Sequence, residues 1–192
     1  MSQSVVVNPA SVAYINRQFI ITGDDGLFAV SNVGDPDTWN ALNYAEEETA
    51  PDGLLRAYVF NQLVYMFGTK TIVPWYNSGA GNPPFDRQDT SLVNVGCSGK
   101  HAICNTDQYL YWLGDDRKIY RAVGASYQQV STSSISTQTE AMQTVDDCIM
   151  SSFVFDGQDF VLVVFPSENK TFLYSETWNY WVVLASGTEY PN

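Results

Sequence analysis

One histidine, His101, stands between Cys97 and Cys104 in the arrangement C-x3-H-x2-C, with Cys148 further along the chain. Imidazole and thiolate groups are zinc ligands, and a cysteine beside a histidine is also the arrangement of a thiol nucleophile and its base. A closed structural zinc site needs four ligands, and its sequence mark is a pair of C-x-x-C-like knuckles, which this spacing does not supply. The local segment NVGCSGKHAICNT reads instead as a glycine turn running into a strand, where successive side chains point to opposite faces. A nucleophile pair needs an orienting acid and an oxyanion site, and no residues identify either. The expectation is three thiols serving as small buried apolar groups, and their odd, low number fits a reducing compartment.

Carboxylates come in pairs at Asp24-Asp25, Asp115-Asp116 and Asp146-Asp147. The first two lie beside glycine in GDDG and LGDDRK, where Asp and Gly serve hairpin turns by tolerating positive φ and capping their own backbone. A calcium loop would place alternating oxygen ligands over about a dozen residues, and neither segment does so. Glu46-Glu47-Glu48 reads as a solvated loop run, and Asn169-Lys170-Thr171, although a glycosylation sequon, as a hairpin turn. The glycines of NSGAG precede neither a helix nor a Lys-Ser/Thr pair, so no phosphate loop is indicated. No catalytic, cofactor-binding or metal-ligating residue is assigned on these grounds, and no enzymatic activity or cofactor is expected.

Composition narrows the partners. The 192 residues carry 9 basic and 21 acidic side chains for a net charge of −12, and the basic ones are scattered. Gripping phosphate backbones takes clustered Lys and Arg, so tight nucleic-acid binding and anionic-membrane binding are both disfavoured. No apolar run reaches the roughly 18 residues of a membrane span, and MSQSVVVNPAS lacks the basic start and apolar core of a signal peptide. Charged residues are only 16% and aromatics 14%, which is the composition of strands rather than surface helices.

The elements that must position any surface recur along the chain. Asn16-Arg17-Gln18 leads into FIIT, Asn61-Gln62 into LVYMFG, Asp107-Gln108 into YLYWLGDD and Asp156-Gly157-Gln158 into DFVLVVFPSEN. With the glutamines as markers the spacings are 44, 46 and 50 residues. Each marker is preceded by an extended run (SVAYI, LLRAYVF, HAICNT, CIMSSFVF) and followed, after a tight turn, by another (LFAVSNV, TIVPWY, KIYRAV, TFLYSET). This predicts an all-β chain forming one β-propeller-like domain over 1–192, an array of about four antiparallel blades of three to four strands, an open arc unless further chain or neighbours cover its edges. Continuous apolar runs such as LVYMFG and FVLVVF are expected where blades are covered on both faces. An ordinary β-sandwich is the competing fold, but its strands need not recur in matched groups. The five tryptophans, Trp39, Trp75, Trp112, Trp178 and Trp181, sit at or near strand ends and are expected to pack blades. Ser131–Asp147 is expected to be a surface connection with one helical turn near Thr139. The turn-rich stretches Gly34–Pro51 and Asn77–Gln88 are expected to be long loops between units and the preferred partner-facing surfaces.

Several segments, taken in order, resemble a known family. Gly34-Asp35-Pro36-Asp37 with Trp39, then Tyr44-Ala45 and Pro51-Asp52-Gly53 before Leu54-Leu55, are similar to an interblade loop of the packaged-DNA stabilisation proteins, the tail hubs of short-tailed bacteriophages. FGTKTIVPWYNSGAG, Phe85, the pair Gly96-Cys97, the run Glu140–Asp156 into FVLVVFP, Phe172–Tyr174 and Trp181–Leu184 continue the resemblance, which spans Val12 to Leu184. Members of that family are longer, so the resemblance implies the central blades of a hub or a compact relative of one. It implies a structural protein made in the host bacterial cytoplasm and built into the virion tail. There a hexameric ring closes or extends the portal channel, stabilises packaged DNA and meets an adaptor, a tailspike or fibre and a tail needle. Its negative charge would then let DNA pass nearby without specific binding. A glycan-binding propeller or glycoside hydrolase acting on bacterial surface polysaccharide is the alternative, and it requires a central cluster of carboxylates and arginines. A propeller scaffold unrelated to phage is a third reading.

Overall fold

The first two strands meet at Asn16-Arg17, and both residues have positive φ, 50° and 64°. Asn61-Gln62 repeats this with φ of 46° and 64°, and Asp156-Gly157 with 50° and 71°. Two consecutive left-handed residues make a type I′ turn, whose twist matches that of the flanking strands, and Asn, Asp and Gly occupy such positions at least cost. These three turns nucleate three of the four sheets.

A computed structural model describes residues 6, 8–46, 53–88, 91–123 and 126–185. Sheet I comprises β1 (Pro9–Ile15), β2 (Gln18–Gly23), β3 (Leu27–Val30) and β4 (Tyr44–Glu46). Sheet II comprises β5 (Leu54–Phe60), β6 (Leu63–Gly68), β7 (Ile72–Asn77) and β8 (Phe85–Arg87). Sheet III holds β9 (Ile103–Asn105), β10 (Leu110–Leu113), β11 (Ile119–Val123) and β12 (Ser126–Gln129). Sheet IV holds β13 (Ile149–Phe155), β14 (Gln158–Phe165), β15 (Lys170–Ser175) and β16 (Tyr180–Leu184). Every sheet is an antiparallel meander in chain order, so all pairing is between consecutive strands. Four four-stranded sheets and one short helix make the all-β, propeller-like array that the repeat predicts.

The true register of the repeat is set by the turns, not by the glutamines. Gln18 is the first residue of β2 and pairs with Ile15, whereas Gln62 lies inside the turn and Leu63 pairs with Phe60. The first hairpins of sheets I and II correspond residue for residue at an offset of 45, each with a bulge after its first paired residue, Pro9 opposite Gly23 and Leu54 opposite Gly68.

Two stretches expected to be long loops contain strands. Gly34–Pro51 holds β4 and Asn77–Gln88 holds β8, three residues each, which complete sheets I and II. Strands this short form because the neighbouring strand offers unpaired backbone groups, a cause absent from local composition. The helix also differs from expectation. It runs Ser133–Glu140 through the serine- and threonine-rich part that was read as a connection. Thr132 caps its start by accepting from the Ile135 backbone N–H at 3.5 Å. At its end the Arg117 guanidinium donates to the carbonyls of Glu140 (2.9 Å) and Met142 (2.7 Å). The hydroxyl of Thr139, buried with Ile135, donates to the Arg117 carbonyl at 2.7 Å. Tertiary anchoring overrides weak propensity.

The chain divides into two compact units, Met1–Cys97 and Ser98–Asn192. In the first, sheets I and II pack face to face. Ile20, Phe28 and Val30 meet Val64, Met66 and Trp75, and the Phe28 and Trp75 rings meet edge-on with centroids 5.0 Å apart. Two polar ties join the strands: Ser11 Oγ accepts from the Ala57 N–H at 2.9 Å, and buried Gln18 donates to the Ser31 carbonyl at 2.9 Å. In the second unit sheets III and IV meet through Trp181, which donates to the Val130 carbonyl at 2.9 Å, and through the Tyr111–Tyr174 ring pair. Strand β13 also meets the segment before β9, where the Met150 N–H donates to the His101 carbonyl at 2.9 Å.

Candidate functional site

The residues singled out for chemistry are dispersed. Cys97, Cys104 and Cys148 are all buried thiols outside any disulfide, and burial pushes the Cys104 thiol up to about 12, far from a reactive thiolate. The His101 side chain is exposed just before β9. Among the described residues no group of three His, Cys, Asp or Glu side chains could hold a metal.

The acidic pairs sit in turns and cap backbone. Asp25 accepts from the Leu27 N–H at 3.2 Å. Asp116 accepts from the Lys118 N–H (3.2 Å), the Lys118 ammonium (3.1 Å) and the Tyr120 hydroxyl (2.7 Å). Burial raises the Asp116 carboxyl, but these donors together hold it below its ordinary value. Asp147 accepts from the Ser167 N–H at 2.8 Å, and the Ser167 hydroxyl first and then this N–H hold its carboxyl low. Asn169, with φ of 50°, forms the hairpin turn before β15. Glu46 ends β4, while Glu47 and Glu48 lie outside the described residues, as do Pro51 and Asp52. Trp75, Trp112 and Trp181 are packing residues, whereas Trp178 is 66% exposed and Trp39 is half-exposed in a loop, donating to the Pro36 carbonyl at 2.8 Å.

One polar constellation had no sequence signal. Glu176, just after β15, accepts at Oε2 from the Tyr111 hydroxyl (2.7 Å) and from Thr106 Oγ1 (2.8 Å), both on sheet III. Thr106 also accepts from the N–H groups of Gln108 and Tyr109 and so builds the β9–β10 turn. The Arg121 guanidinium lies 4.4 Å over the Tyr109 ring and donates to Gln128. Burial first, then Glu176, pushes the Tyr111 phenol far above its ordinary range. A carboxylate oxygen that accepts from two hydroxyls, with a neighbouring arginine stacked on an aromatic ring, is a tie between sheets.

The prominent surface feature is apolar. β6, LVYMFG, is buried on both faces except at its first residue, as expected of a covered sheet. β14, with the equally apolar run FVLVVF, instead alternates: Val161, Val163 and Phe165 are buried against sheet III's side, while Phe160, Leu162 and Val164 are half-exposed. The expectation that this run is covered on both faces is met on one only, since the residues of the second face are partly exposed. Across that face one row reads Ser151, Leu162, Leu173, Val182. The adjacent rows begin with Ile149 and Phe153 and end with Leu184 and Tyr180, all exposed. No residue in the three rows is charged. A solvated sheet face is normally polar; this one has the composition of a core. The outer face of sheet I is similar, with Val12, Tyr14 and Tyr44 exposed and the Tyr14 ring tilted against Phe19 with centroids 4.9 Å apart.

Comparison with known proteins agrees with this architecture. A family model described as bacteriophage P22 Gp10, β-propeller, matches residues 1–191. Among curated proteins none matches the chain. Among solved structures, BamB from Moraxella catarrhalis is similar with a TM-score of 0.56 at 12% identity, over 95% of this chain and 54% of that one. The WD40 domain of Toxoplasma gondii coronin gives 0.55 at 10% identity, over 93% and 48%. PorZ of Porphyromonas gingivalis gives 0.53 at 11% identity, over 98% and 22%. At these identities the likeness is one of fold, and the chain spans about half the length of the first structures it matches.

Proposed function

The chain belongs to the bacteriophage P22 Gp10 β-propeller family, the packaged-DNA stabilisation proteins, and from that premise we propose that it is a tail-hub component of the virion. The family match over residues 1–191 carries this reading. In it, the chain assembles with copies of itself, as a hexameric ring in the resemblance noted above, beneath the portal and its adaptor. It closes or extends the DNA channel and presents a platform to a tailspike or fibre and a tail needle. The work is mechanical: rigid sheets transmit load, and surfaces rather than reacting groups specify the neighbours. The absence of an enzymatic role is part of the same reading, supported by a Glu176 carboxylate whose Oε2 holds two sheets together.

The net charge of −12 acquires a role in this setting. A channel wall that repels phosphates lets DNA slide past without specific binding. Cryo-electron microscopy of the phage particle tests the assignment: density for this chain is expected in the tail below the portal. Its absence from the tail, or a basic lumen in an assembled ring, would overturn the corresponding part of the reading.

A further inference from the structure

We draw no further inference here: the strongest candidate, the side-chain cluster at one end of the interface between sheets III and IV where Asp107 and Asp159 come close to the Glu176 carboxylate, belongs to the tie already described, and nothing among the described residues beside its acidic groups points to a ligand.

Discussion

Glu176 gives the sharpest test of how the second unit is held together. In Glu176→Ala the Tyr111 hydroxyl loses an ionised acceptor at 2.7 Å while its side chain stays fully buried. A hydrogen bond to a charged group contributes about 1.5–3 kcal/mol, and a buried hydroxyl left without its partner costs about 1–3 kcal/mol. Thr106 loses less, since its hydroxyl can still reach the Tyr109 carbonyl at 3.5 Å. The expected destabilisation is about 3 kcal/mol. Tyr111→Phe removes donor and desolvation cost together and should cost only about 1 kcal/mol. The two changes act on one contact, so the double variant should fall short of their sum by about 1–2 kcal/mol. Urea unfolding followed by tryptophan fluorescence, supported by amide exchange of sheets III and IV, reads all three values. A loss below about 0.5 kcal/mol in Glu176→Ala, or strict additivity in the double variant, would refute the view that this carboxylate ties the sheets.

Three further outcomes follow from the geometry. Gly96→Ala would drive a Cβ into the backbone of Thr69 and Lys70, which cannot yield as a side chain can, so the first unit should lose about 1–3 kcal/mol by thermal or urea unfolding. Trp181→Phe keeps an aromatic ring in place of the indole but deletes the bond to the Val130 carbonyl, and a loss of about 1–2 kcal/mol is expected in the same assay. Asp159 has its carboxyl pushed up, by burial first and then by Glu176 and Asp107. A raised acid destabilises the folded chain when ionised, so the penalty is present above the folded value and disappears below the unfolded value near 3.8. Asp159→Asn should therefore raise the melting temperature at pH 7, with the gain vanishing near pH 3; an equal gain at both pH values would contradict the sign.

What was legible in the chain was whatever local chemistry dictates. Asn16-Arg17, Asn61-Gln62 and Asp156-Gly157 announce their turns because few residues accept positive φ, and the apolar runs on either side announce strands. The glutamine marker drifted by one residue because turn position, not residue type, sets register. β4 and β8 were hidden in turn-rich stretches, since their pairing comes from the neighbouring strand. The helix was misplaced because its supports, Arg117 and Thr132, lie outside its own propensity. Tyr111 and Glu176 are 65 residues apart, so no spacing could have joined them. The face of β14 is a subtler case. FVLVVF has the same composition whether one side is covered or two, and only the burial of its neighbours distinguishes them.

The strictly sequential order of every sheet has a kinetic consequence. No sheet waits for a strand from elsewhere in the chain. At ribosomal rates of about 5–20 residues per second, a stretch of some 45 residues emerges in about 2–9 s, far longer than hairpins need to form. Each meander can zip up while its successor is still being synthesised, each closing only short loops. The faces that sheets I and II bury against each other are then exposed only for the interval in which the second meander is being made.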